Sequence, residues 1–515
     1  MKTIKVDSLV IGAGLAGLTY AMEMADAGKS VYVLASSEDK TTSNSYLAQG
    51  GVVYNEGHDP ELLIKDIEVA TCGAHNPEAL ETIAKFGGSA VEEILLTKAE
   101  VPFDRDTDGS LKKVKEAAHS EARIIYSKDA TGVAIMDSIY KKIEGLTNIT
   151  VCHNSMAIDL MTLSHNSKSY ADRYKSLTCI GAYVFDLEQN QVYAVLAQNV
   201  IIATGGVGQI FLHTTNGKEA FGHGLAMAKR VGARLMDLEY LQFHPTVFVK
   251  PGFNPLLISE ALRGEGGVLI NARGERFMDK IHPLGSLAPR DIVARAIAFE
   301  LIDSSGNSVY LDMTAHDSEF IQNRFPNIYR ECLKRGVDIS SDPIPVVPAA
   351  HYHCGGIHTD MEGRTNIKGL CAIGECACTG LHGANRLAST SLLECVTMGV
   401  LTAKANLLEF REDYYLPEVK LWKGETQQED TALMEQDLDL IRKTMWNYAG
   451  LIRTTKRIKR AERLISEINF EVKQFYSNSA LTRTLLNLRS AVEVAQLIIY
   501  AASKNRKSLG CHYID

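Results

Sequence analysis

Apolar positions change period several times along the opening stretch. Val6 to Ile11 reads as a short buried strand. From Leu15 the apolar residues recur at Leu18, Ala21, Met22 and Ala25, one face of a helix, and Gly28 fits its stop. Val31-Tyr32-Val33-Leu34 then reads as a second strand. Between the first strand and the helix lies Gly12-Ala13-Gly14-Leu15-Ala16-Gly17. Gly12 permits a tight turn, Gly14 lets backbone approach a pyrophosphate, and Gly17 lets helix and strand pack closely. The helix N-terminus offers N–H groups and a positive dipole end. Between strand and helix, this spacing predicts dinucleotide binding. The acidic residue expected after the second strand, to hold the adenosine ribose, is missing. The strand runs into Ala35-Ser36-Ser37, and Glu38 comes late, leaving Ser36 and Glu38 as candidates.

Further on, residues 60–100 read as helices and 150–206 as strands. Ile180–Asp186 and Gln191–Ala197 form a hairpin pattern, and Asn199 to Ala203 is a strand ending in Thr204-Gly205-Gly206. From 237 to 345, motifs sit in loops between short helices, and after about 411 the pattern is helical throughout. Arg453, Lys456, Arg457, Lys459, Arg460 and Arg463 make a basic stripe, best read as a solvated or interdomain helix face.

Composition narrows the classes. A chain of 515 residues is too long for one core. Its 45% apolar and 23% charged residues are those of an ordinary globular protein, and a net charge of −8 argues against nucleic-acid binding. No uninterrupted apolar run approaches the ~18 residues of a membrane span. Ten scattered cysteines without a metal-type pair suggest reduced thiols and a cytoplasmic location. His351-x-His353-Cys354 lacks a third ligand at metal-motif spacing, so no metal is expected.

The glycine motif, together with Asn44-Ser45-Tyr46-Leu47-Ala48-Gln49-Gly50-Gly51, resembles the flavoprotein family of succinate dehydrogenases, fumarate reductases and L-aspartate oxidases. The resemblance implies an α/β fold: a Rossmann-like FAD-binding domain (1–236 and 346–410), an inserted α+β capping domain (237–345) and a C-terminal helical domain (411–515). It places FAD against that loop, Ala157, the Ala203-Thr204-Gly205-Gly206 turn, Glu375 at the ribityl chain, and Ser391-Leu392 at the flavin pyrimidine. Where the respiratory members carry the histidine that bonds covalently to flavin, this chain has Asn44, so FAD is expected to be non-covalent. At Gly222-His223-Gly224 members often have an acidic residue between the glycines, and His223 is a departure.

A dicarboxylate needs donors at both ends. His244, Ser259, His351 and Arg386 supply them, arginine being suited to carboxylates by its two parallel donors. The resemblance adds Glu260 and makes Arg290 the proton-transfer group or its partner. Glu116, in Lys115-Glu116-Ala117-Ala118-His119-Ser120, falls in the segment that lies near substrate in the family, although a solvated loop carboxylate is the better reading of the residues alone. The implied activity is oxidation of L-aspartate to iminoaspartate by hydride transfer to flavin N5, with oxygen or fumarate as acceptor. This would begin NAD synthesis, with product passed to quinolinate synthase. The alternatives are a soluble fumarate reductase or succinate-oxidising flavoprotein, and a respiratory-complex subunit. The absent histidine and the lack of an iron–sulfur cysteine pattern argue against the last.

Overall fold

Five parallel strands end in one row, because Ile11 pairs in register with Leu34 and Ile202, Leu34 with Cys152, and Ile202 with Ala372. The computed structural model describes residues 2–57, 59–116, 118–304, 306–424 and 430–515. Ala117 of the Glu116 segment lies outside them. The row belongs to a seven-stranded sheet centred on Thr3–Ile11, with Val31–Leu34 and then Ile149–Cys152 on one side. On the other side runs Gln191–Ile202, whose first half pairs antiparallel with Cys179–Asp186 and whose end pairs parallel with Leu370–Ala372.

Side chains alternate between two cores. Val10, Val31, Val33 and Ile201 face the helices Leu15–Asp26 and Thr390–Leu408. Leu9, Ile11, Val200 and Ile202 face the layer that includes the C-terminal helices. This period of two is what a sheet covered on both faces requires. The two helices of the first layer touch closely: a Cβ on Gly399 would lie 2.7 Å from the Thr19 side chain.

Residues from 241 onward form a five-stranded antiparallel sheet in the order Leu256–Leu257, Leu241–Phe248, Ile344–His353, Val309–Asp312, Val268–Ile270. Helix Arg290–Ser304 and the shorter Ser318–Arg324 and Pro326–Lys334 complete this cap, around a core of its own. The expected boundary at 345 falls inside the strand Ile344–His353. That strand starts in the cap core with Ile344 and Val346, places Ala350 in the core of the main sheet and ends at His353, so no break in pattern marks the crossing.

The expectation of helix throughout after 411 needs correction. Residues 409–424 contain no helix, and part of this stretch lies along residues 166–168: Lys168 N donates to Glu418 O (2.9 Å) and Lys420 N to Asn166 O (2.8 Å). Pro417 cannot donate a helical hydrogen bond, and Val419 is buried here. Helices Thr431–Ala449, Thr455–Asn478 and Arg483–Lys504 follow, and residues 505–515 fold back without helix. The basic stripe loses Arg453, which precedes its helix and is fully buried against Glu239 O (2.8 Å) and His512 Nδ1 (2.6 Å). Thr390–Leu408 and Arg483–Lys504 are long and apolar enough to cross a membrane, but 67% and 61% of those windows is buried within the protein, as core helices are.

Candidate active site

The row of strand ends opens into a cleft of about 1890 Å³, counting its open mouth. Open α/β sheets bind ligands at this edge. Gly12 (φ +119°) turns so tightly that a Cβ would sit 2.2 Å from Ala203 O. Gly17 stands behind the cleft wall, where a Cβ would meet Gly12 O at 2.3 Å. Gly14 differs: a Cβ there would meet only Ser45 Oγ, at 3.4 Å, and would project into open cleft. Helix Leu15–Asp26 has no capping side chain on Gly14 and no acidic residue in its first turn, so its N-terminus suits a phosphate.

Of the residues assigned to FAD, all but Gly17 and Tyr46 line this cleft, and Tyr46 instead packs against the core. Ser45 Oγ accepts from Leu15 N (3.1 Å) and so ties the 44–51 loop to the helix start. Asn44 is fully engaged: Nδ2 donates to Glu375 Oε2 (2.9 Å) and Oδ1 accepts from Gly217 N (2.9 Å). Burial pushes Glu375 up to about 7, against the pull of Asn44 and of the His353 N–H. A Cβ on Gly206 would lie 2.2 Å from Glu375 Oε1, so a side chain there would displace this carboxylate. Gln49 Oε1 is buried in the cleft without a donor, as expected of a group that waits for a ligand N–H. The donor set therefore fits FAD. His223 also lines the cleft, yet both ring nitrogens are taken, Nδ1 by Ser490 Oγ (2.8 Å) and Nε2 by Asn487 Oδ1 (3.0 Å).

Every residue assigned to catalysis lies along this same cleft: Glu116, His244, Ser259, Glu260, Arg290, His351 and Arg386. His244 comes from the strand Leu241–Phe248 and His351 from its neighbour, with rings 5.1 Å apart. The strands slip register here: Gln242 pairs with Tyr352 but Phe243 with Ala350, leaving His351 as the extra residue. Such a bulge re-aims side chains, and the adjacent His351 and Tyr352 both reach the cleft. Ser259 caps the helix Glu260–Gly264, accepting from Ala261 N (3.3 Å). Glu260 is ion-paired with Arg290 and lies 3.5 Å from Arg263.

Burial lowers both histidines well below their ordinary value. His351, Arg290 and Arg263 add to the effect at His244, and Arg290 and Arg386 at His351. Both rings are therefore neutral. Arginine can only donate, so His351 Nε2 accepts from Arg386 Nη2 (3.2 Å) and Nδ1–H points to Thr215 Oγ1 (2.8 Å). Burial alone would raise Glu260, but Arg290 and Arg263 outweigh it and hold the carboxyl down. Glu116 behaves oppositely: burial and then Glu260 push it up, opposed by Ser389, Arg290 and Arg386. The solvated-loop reading of Glu116 is thus corrected. It accepts from Ser389 Oγ (2.7 Å) and shares the field of the site's arginines. Glu121, by contrast, does not line the cleft and sits 3.9 Å from Arg123.

Gln242, two residues before His244, was not singled out from the sequence. Its Oε1 accepts from both Arg290 Nη1 (3.3 Å) and Arg386 Nη2 (3.2 Å), and its Nε2 donates to Asn385 Oδ1 (2.8 Å) and Arg386 O (2.9 Å). It fixes the spacing of the two guanidiniums. Its place two residues before His244 was the available signal. Tyr352, whose ring lies 4.5 Å from the Arg386 guanidinium, was also missed. His353 faces away from the cleft, with Nε2 against Leu238 O (3.1 Å), and no metal-type cluster occurs among the described residues.

Residues 7–392 match the family model described as FAD binding domain, and 439–515 that described as fumarate reductase flavoprotein C-term. The chain is 40% identical to L-aspartate oxidase 1 of Ralstonia nicotianae, over 98% of this chain and 94% of that one. It is 36% identical to the chloroplastic L-aspartate oxidase of Oryza sativa subsp. japonica, over 99% and 81%. A mutated E. coli quinol fumarate reductase superposes with a TM-score of 0.87 at 25% identity, covering 100% of this chain and 92% of that one. The chain belongs to the L-aspartate oxidases of the succinate dehydrogenase and fumarate reductase flavoprotein family, with FAD as cofactor.

Proposed function

We propose that the protein oxidises L-aspartate to iminoaspartate, opening the quinolinate route to NAD in the cytoplasm. Oxygen or fumarate reoxidises the enzyme, and quinolinate synthase consumes the product. The observation that carries this reading is the charge balance of the cluster around Glu260, in which Arg263 lies buried behind the cleft lining. Arg263, Arg290 and Arg386 bring three positive charges, Glu260 offsets one, and Glu116 can offset a second. With Glu116 ionised the cluster is left with one excess positive charge and complements aspartate, which carries two carboxylates and one ammonium. A site of arginines and histidines alone would repel the ammonium.

In this assignment Arg386, His244 and His351 bind the carboxylates and Glu116 receives the ammonium. FAD bound along the cleft supplies the acceptor for a hydride. As the Cα–H bond breaks with its electron pair, the C=N bond forms, and one N–H proton passes to a Glu116 carboxylate oxygen. Arg290, held by Glu260 and Gln242, is placed to deliver a proton to carbon in the reverse-type reduction of fumarate. The cap, which carries His244, Ser259, Glu260 and Arg290, excludes water from these groups. The test is product analysis. L-Aspartate should yield oxaloacetate and ammonia in equal amounts after hydrolysis of the imine; oxaloacetate without ammonia, or no turnover, contradicts the proposal.

A further inference from the structure

The strand Val31–Leu34 ends without the carboxylate that a dinucleotide fold uses for the adenosine ribose, and the nearby candidates do not replace it. Glu38 is exposed and outside the cleft lining. Asp39 is committed as a cap, its Oδ1 accepting from Thr41 N (2.9 Å). Both ring nitrogens of His223 are already bonded to helix Arg483–Lys504.

Another carboxylate reaches the same place from far along the chain. Arg483 Nη1 donates to Glu219 Oε1 (2.7 Å) while its Nη2 donates to Ser36 O (2.8 Å). One guanidinium thus clamps the Glu219 side chain to the backbone just past the second strand. Ser36 and Glu219 line the same cleft. The other carboxylate oxygen, Oε2, is buried without a well-formed hydrogen bond, although the Ser36 hydroxyl lies close enough to pull on the carboxyl. A buried acceptor without a donor is a cost that a ligand hydroxyl would relieve. Burial raises the Glu219 pKa against the pull of Arg483, the Ser36 hydroxyl and Lys218.

We propose that Glu219, braced by Arg483, is the carboxylate that receives the adenosine ribose 2′-hydroxyl of FAD. Arg483 acts as its positioning residue, so the C-terminal helical region contributes to the nucleotide site without touching the flavin. The proposal rests on the assignment of this cleft to FAD.

The test titrates full-length apoprotein with FAD, and with an FAD analogue lacking the adenosine 2′-hydroxyl, following flavin fluorescence. Glu219→Ala should weaken FAD binding about tenfold to a hundredfold, the loss of a charge-assisted hydrogen bond. Wild type should discriminate against the deoxy analogue by a similar factor, and Glu219→Ala should bind the two flavins equally. Ser36→Ala, which removes the competing hydroxyl, should still prefer FAD to the deoxy analogue. If Glu219→Ala fails to fold, Glu219→Gln carries the test: it keeps one neutral acceptor and should show reduced discrimination. Discrimination that persists undiminished in the Glu219 variants, or that vanishes in Ser36→Ala instead, overturns the proposal. Failure of wild type to bind FAD at all would overturn the cleft assignment itself.

Discussion

Replacing Glu116 by glutamine should separate two activities that share nearly all of their machinery. The glutamine oxygen can still accept from Ser389 Oγ, now 2.7 Å from the carboxylate, so the local structure is kept while the charge is lost. A carboxylate–ammonium bond contributes about 1.5–3 kcal/mol, so kcat/KM for aspartate should fall about tenfold to a hundredfold, with a further drop in kcat if Glu116 also takes the proton. Fumarate has no amine, so its reduction by the pre-reduced enzyme should survive. The pH dependence follows from the direction of the shift. Burial holds the Glu116 pKa above the usual carboxylate range. Aspartate needs Glu116 ionised, so its kcat/KM should rise with pH through that raised value. Succinate, with no ammonium, should inhibit better as pH falls and Glu116 becomes neutral. Both slopes should flatten in Glu116→Gln. The assay is steady-state oxidation and dithionite-driven fumarate reduction across pH in both proteins. Equal loss of the two activities, with the pH slopes retained, would refute the role and leave Glu116 as support for fold or flavin.

Other expectations concern the arginines, the histidines and Asn44. Arg290→Lys cannot keep both the Glu260 and Gln242 contacts, so turnover should fall more than dicarboxylate binding weakens; a rise in KM alone would make Arg290 a binding residue. Alanine at His244, His351 or Arg386 should each weaken succinate as a competitive inhibitor about tenfold to a hundredfold, and unchanged inhibition in all three would end that assignment. Asn44, an amide bonded to Glu375 and Gly217, forms no link to flavin, so acid precipitation should leave the yellow colour in the supernatant; colour in the pellet would contradict this.

Local spacing carried much of what the sequence revealed. Gly12 and Gly17 answer to contacts within a few residues or at the end of one neighbouring strand, and the first helix and strands fall where the periodicity puts them. The site residues were legible as motifs, but their partners were not. Gln242 gains its meaning from Arg386, 144 positions later, and Glu219 from Arg483, 264 positions later. Glu116 looked like a loop carboxylate because nothing in its neighbours announces Ser389 or the two arginines. The expected cap boundary at 345 has no mark in the local pattern because the strand Ile344–His353 runs through it. Arg453 was grouped with surface cations since a helical stripe does not reveal that its first member precedes the helix and is buried.

The central claim is that this cleft oxidises an amino dicarboxylate in preference to its deaminated counterpart. Anaerobic mixing of the FAD-loaded protein with L-aspartate or succinate, followed at the flavin absorption band, tests it most directly. The account predicts fast, complete bleaching by L-aspartate within the time of a few turnovers, and slow or absent bleaching by succinate. Equal or faster bleaching by succinate would contradict it.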